Sequence, residues 1–110
     1  MKLNIYNKND IVKTYTAETY NLKFGVIEDV ADAIKLDELQ TGADIEILKM
    51  AGNLVLNSMG TVKELLKDIF QGITDEEIRN CNVSDIATVL VDVVKFTLDQ
   101  LGKNINSKNG

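Results

Sequence analysis

Residues 85–101, "DIATVLVDVVKFTLDQL", decide how this chain folds. Placed at about 100° per residue, Ile86, Val89, Leu90, Val91, Val93, Val94, Phe96, Leu98 and Leu101 cover roughly 220° of a helix. Asp85, Thr88, Asp92, Lys95 and Asp99 share the narrow polar strip that remains. A surface helix of a small domain usually needs an apolar face of only a little over 100°. The segment therefore reads as a helix with apolar surface to spare, and something must cover it.

Residues 43–59 repeat the pattern. Ile45, Ile47, Leu48, Met50, Ala51, Leu54, Val55, Leu56 and Met59 sweep more than half the circumference, leaving Glu46, Lys49, Asn53 and Asn57 as the polar strip. Two readings stay open. The two helices pack together and cover each other, as central helices do. Alternatively, part of the surface meets another chain, with flexible methionines accommodating the partner.

Other helices announce themselves by their ends. "VIEDVADAIKL" places Val26, Ile27, Val30, Ala33 and Ile34 on one face. Thr61 with Glu64, and Thr74 with Glu77, match the capping-box spacing and mark two helix starts. Gly60 and Gly72 stand where a left-handed residue commonly closes a helix, and Asn82 or Ser84 can cap the last one. Glu28, Asp29, Asp44, Glu46, Asp75, Glu76 and Asp85 sit where the positive ends of helix dipoles favour acids. Gly52 is out of place within a helix; either a neighbouring helix packs closely there, the favoured reading, or the helix bends.

The N-terminal segment is strand-like. "KLNIY" alternates, "IVKTYTA" is rich in β-branched residues, and "NKND" between them supplies turn residues that tolerate positive φ. "YNLKF" alternates again and reads as a third strand or an extended lead, with Gly25 ending it. The expected fold is α+β and mostly α-helical. It has an N-terminal β-hairpin at about 2–17, three-stranded if 20–24 joins it, and helices at about 26–36, 43–59, 62–70, 75–80 and 84–102. Residues 1–102 make one domain, and the polar "KNINSKNG", 103–110, is expected to be a disordered tail.

Composition excludes more than it assigns. The chain has 110 residues, 45% hydrophobic and 26% charged, an ordinary globular balance for one domain. Six aromatics (Tyr6, Tyr15, Tyr20, Phe24, Phe70 and Phe96) leave most of the core to Leu, Ile and Val. Twelve basic against 17 acidic residues give a net charge of −5, which argues against nucleic acid as a partner. No apolar run approaches the roughly 18 residues of a membrane span. The start, "MKLNIYNKND", lacks a signal peptide's apolar segment, so a cytoplasmic location is expected.

Histidine is absent, which removes the commonest general base and transition-metal ligand. Cys81 is the only cysteine; Arg79 nearby could lower its pKa, but without a base it reads as a small half-buried residue. The clusters Glu28/Asp29/Asp32, Asp37/Glu38 and Asp75/Glu76/Glu77 do not follow an EF-hand spacing. The expectation is no catalysis, no cofactor and no metal. The hairpin's open edges, like the apolar helix faces, favour binding or assembly.

The order of segments carries a resemblance. "KLNIY…IVKTYTAETYNLKFGVIEDV", "ILKMAGNLVLNSMGTVKELLKDIFQGITDEEI" and "VLVDVVKFTLDQLGK" together resemble the tail assembly chaperones of long-tailed phages and prophages of Gram-positive bacteria. The likeness spans about residues 2–103. It implies a protein that coats the apolar, helical tape measure protein, keeps it soluble, supports tail-tube polymerisation and is absent from the finished virion. It also implies self-association along one long partner and, through a frameshifted longer form, contact with the major tail protein. The family has no fixed ligand residues to carry over. The interface expected from this chain's own residues is the exposed part of the faces around Met50, Leu54, Met59, Val91, Phe96 and Leu98. The competing readings are a small obligate-dimer adaptor or regulator without a client, and an acidic enzyme using carboxylates and a metal.

Overall fold

The computed structural model describes residues 1–33 and 44–100. Several expectations lie outside those residues: the end of the first helix at 34–36, the Asp37/Glu38 pair, the helix limits at 43 and 101–102, and the tail at 103–110.

Two antiparallel strands, β1 (Lys2–Asn7) and β2 (Asp10–Thr16), form the hairpin. Among the described residues five helices follow: α1 (Phe24–Ala33), α2 (Asp44–Asn57), α3 (Met59–Ile69), α4 (Asp75–Arg79) and α5 (Val83–Leu98). The fold is α+β and mostly helical. The positive φ at the hairpin turn falls on Lys8, at 59°, rather than on an asparagine. Among the described residues no third strand forms. Thr19–Asn21 instead closes a single 3-10 turn, with Asn21 N–H donating to the Glu18 carbonyl at 3.0 Å and Leu22 N–H to Thr19 at 3.1 Å. The alternation of Tyr20, Leu22 and Phe24 was a weak signal, because it has no partner strand to pair with. Gly25 lies within the first turn of α1 and does not precede it.

Helix α5 is the axis of the domain. It packs against α2, α1 and β1, and Ile86, Val89, Leu90, Val93, Val94 and Thr97 are buried. Those six span roughly 140° of the helix. The Thr97 hydroxyl satisfies itself by donating to the Val93 carbonyl one turn back, at 2.9 Å. Val91 and Leu98 form half-buried shoulders packed on the core. The spare apolar surface of α5 is thus largely covered from within: Leu3 and Ile5 of β1, Val26 and Val30 of α1, and Ile47, Ala51 and Leu54 of α2 share its core.

The α2–α3 junction departs from the expected one. Helix α2 ends at Asn57 and α3 begins at Met59, with Ser58 alone between them at φ −139° and ψ 46°. Ser58 N–H donates to Leu54 at 2.9 Å, and its own carbonyl accepts from Val62 N–H at 3.0 Å. Thr61 is therefore inside α3 and starts nothing, and Gly60 is helical rather than left-handed. A break carried by one backbone residue leaves no side-chain cap to read.

The second capping box forms as expected. Glu77 N–H donates to the Thr74 hydroxyl at 3.1 Å, and Thr74 N–H donates to Glu77 Oε1 at 3.0 Å. Gly72, at φ +91°, takes the left-handed conformation expected of it. Asn82 occupies the cap position of α5 without a side-chain capping bond. Asp75, Glu76, Glu77 and Asp85 fall in first turns, whereas Glu28 and Asp29 lie beyond the first turn of α1.

Gly52 contradicts its expectation. Among the described residues, a Cβ built there meets nothing within 4 Å, so none of their helices requires the glycine. Gly52→Ala should therefore stabilise the fold by about 0.5–1 kcal/mol, through helix propensity and a less flexible unfolded chain. Thermal unfolding would register this as a rise of roughly 4 °C; an unchanged or lower midpoint would contradict it.

Candidate functional site

Helix α2 differs from α5 in what the domain covers. Its buried residues Ile47, Ala51 and Leu54 occupy an arc of roughly 60°. Beside that arc runs a stripe made by Ile45, Leu48, Gly52 and Leu56, spaced three and four apart along about 17 Å of helix. Ile45 is 59% exposed, Leu48 53% and Leu56 79%. Val55 is half-buried and lies between stripe and core.

Val55 also opens a groove of about 450 Å³. Met59 and Val62 of α3 line it together with Ile78 of α4 and Val83 and Ile86 of α5. Its size is that of concave sites that take up apolar groups. Met59 and Val83 are strongly exposed. Cys81 completes the apolar lining, and Lys63 and Arg79 supply its charged groups. Among the described residues, no carboxylate stands within ion-pair distance of either cation.

The six residues expected at an interface do not form one surface. Met59 lines the groove. Leu54 is buried, only 3% exposed, and belongs to the core. Met50 is half-buried on the far side of α2's buried arc from the stripe. Val91 and Leu98 are half-buried against the core, and Phe96 is half-buried on the opposite shoulder of α5. Ile45, Leu48 and Leu56 were legible as apolar positions of α2, but their outward direction was not. Val83 was missed: it begins its helix, where periodicity says little.

Cys81, in the groove lining, is not an activated thiol. Burial, reinforced by the charges of Asp85 and Glu77, pushes the Cys81 thiol up to about 11. Its Sγ donates to the Glu77 carbonyl at 3.3 Å. It stays a protonated thiol at neutral pH, and Arg79 does not activate it. A second, polar concavity holds Asp29, Asp32 and Glu64. Among the described residues no group of three or more acidic, Cys or His side chains could hold a metal ion, and no helix is long and apolar enough to cross a membrane.

Glu77 holds one wall of the groove in place. Its Oε1 accepts from the Tyr15 hydroxyl at 2.7 Å, and Lys13 Nζ lies 3.4 Å from Oε2, above the Tyr15 ring at 4.6 Å. Tyr15 and Lys13 stand opposite Leu3 and Ile5 in the hairpin, so β2 ties down α4 through polar groups. The Tyr15 hydrogen bond first, then the Thr74 amide and Lys13, hold the Glu77 carboxyl below its ordinary value of 4.5. That contribution to stability is complete above the ordinary value and is lost as pH falls through the lower folded-state value. Denaturant midpoints should accordingly hold steady from neutral pH down to about pH 5 and then decline. Glu77→Gln should lower the neutral midpoint and flatten the decline. An equally steep decline in the variant would assign the acid sensitivity elsewhere.

Compared with known proteins, the chain matches no family model, no curated protein and no solved structure.

Proposed function

We propose that this protein is a phage tail assembly chaperone. In the host cytoplasm it binds the apolar, helical tape measure protein, keeps it soluble while the tail tube assembles, and leaves before the virion is complete. It catalyses nothing. The observation that supports the reading best is the uncovered α2 stripe, which runs through Val55 into the groove beside α4 and α5. A single-domain protein rarely leaves a row of large apolar side chains in water unless they have a use. Helix-in-groove binding uses the same spacing of anchors. The resemblance of segment order over residues 2–103 supplies the client.

The test is co-expression with helical fragments of the tape measure protein encoded in the same gene cluster. Wild type should hold the fragments in solution and co-purify with them. Leu48→Asp and Leu56→Asp should lose both properties while remaining folded by circular dichroism. Fragments that stay insoluble with wild type would overturn the proposal. A tight dimer seen by light scattering at every concentration, dissociated by the same two substitutions, would assign the stripe to an obligate-dimer adaptor instead.

A further inference from the structure

Two features of this surface bear on what covers it. The first is Gly52, set in the interior of α2 between Leu48 and Leu56. It is a costly position for glycine, and among the described residues nothing within 4 Å of a Cβ there asks for one. Glycine on a helix face lets another backbone approach closely, and the distance between packed helix axes depends on the side chains where they cross. The second is the sign of the groove's charge. In a chain of net charge −5, both charged residues lining this apolar groove are cations, Lys63 and Arg79. Neither makes an ion pair with a carboxylate among the described residues; Asp75, which is bound to Lys67, lies within electrostatic reach of Lys63, and Arg79 is the less compensated of the two.

We infer that the occupant is an acidic amphipathic α-helix of another chain, crossing α2 at Gly52 with its carboxylates against Lys63 and Arg79. This rests on the chaperone reading and adds to it the chemistry of the client segment. Ile45, Leu48 and Leu56 receive the apolar face of that helix, and Val55 leads it into the groove. Opposite charges at the edge of such a contact select the partner and speed encounter, and they weaken with salt. A basic helix with the same apolar face meets two like charges and is rejected.

The test uses two labelled peptides of about 18 residues, long enough for a helix to span the stripe. They share one apolar face, and one carries Glu on its flanks where the other carries Lys. Fluorescence anisotropy against the full chain should give about tenfold tighter binding of the Glu peptide at low salt, with the gap narrowing near 0.5 M salt, roughly. Joint replacement Lys63→Glu and Arg79→Glu should invert the preference. Gly52→Leu should weaken the Glu peptide by about tenfold without lowering the melting temperature, since it blocks the crossing point.

Equal affinity for the two peptides, or an unchanged preference after charge reversal, would overturn the inference. So would tighter binding by Gly52→Leu, the result expected of an indiscriminately apolar surface. If neither peptide binds while wild type still solubilises tape measure fragments, this inference fails and the chaperone reading stands. If the fragments stay insoluble while the Glu peptide binds as described, the chaperone reading fails and the docking chemistry stands. A dimer that Gly52→Leu dissociates would assign the face to a second copy of the chain and overturn the inference.

Discussion

Leu54→Asp should unfold the domain, whereas Leu56→Asp, two positions along the same helix, should leave it folded. Leu54 is 3% exposed and shares the core with Ile47, Ala51 and α5. A carboxylate placed there loses its hydration and finds no cation among the core residues around it. The cost of several kcal/mol is comparable to the whole stability of an average domain, about 5–15 kcal/mol. Leu56 is 79% exposed. Its replacement costs about 1 kcal/mol, from lower helix propensity and a negative charge in the last turn of α2. Far-ultraviolet circular dichroism on both variants decides the matter. A folded Leu54→Asp would mean that α2 is turned differently from the arrangement described above, and the stripe with it.

Phe70→Ala should cost about 3–5 kcal/mol, enough to lower the melting temperature by roughly 15 °C or more. Phe70 is the largest of the fully buried side chains. It stands at the end of α3, where its N–H donates to Leu66 at 2.8 Å and its carbonyl accepts from Ile73 at 3.2 Å. Its ring lies 6.4 Å from that of Tyr15, tilted at 58°. Truncation leaves a cavity where the hairpin, α3 and the loop to α4 meet. Tyr15 loses its ring contact while its hydroxyl remains bound to Glu77. Thermal unfolding measures the loss, and a fall of only a few degrees would show that the site collapses around the missing ring.

The contrast between Leu54 and Leu56 also shows what the sequence could not carry. Helix α2 is apolar around more than half its circumference, so periodicity establishes that it is a helix without orienting it. Orientation depends on which neighbour arrives, and α5 buries the Ile47–Ala51–Leu54 arc while leaving Ile45 and Leu56 outside. Helix α5 was the more legible of the two, because its polar strip is compact and its burial follows from being central. End signals were reliable where a side chain carries them, as at Thr74 and Glu77, and failed where the backbone alone makes the break, as at Ser58. The groove was invisible in advance. It joins Val55 to Val83 and Ile86 across a long interval of sequence, and no local pattern ties them.

The hairpin has a consequence for crowding. Ile5 pairs with Lys13 and Tyr6 with Ile11, so Val12 is an extra residue that puts the ladder out of step. On the inner edge, Tyr6 N–H is already engaged by the Asn80 carbonyl at 2.9 Å. The outer edge is β2, a strand exposed at every residue but Tyr15, which would otherwise be a template for another strand. A regular strand docking on that edge stays in register only as far as the bulge, and Lys13 lies immediately beyond it. Chains held side by side at high local density are thereby hindered from fusing through their hairpins into a continuous cross-β ribbon.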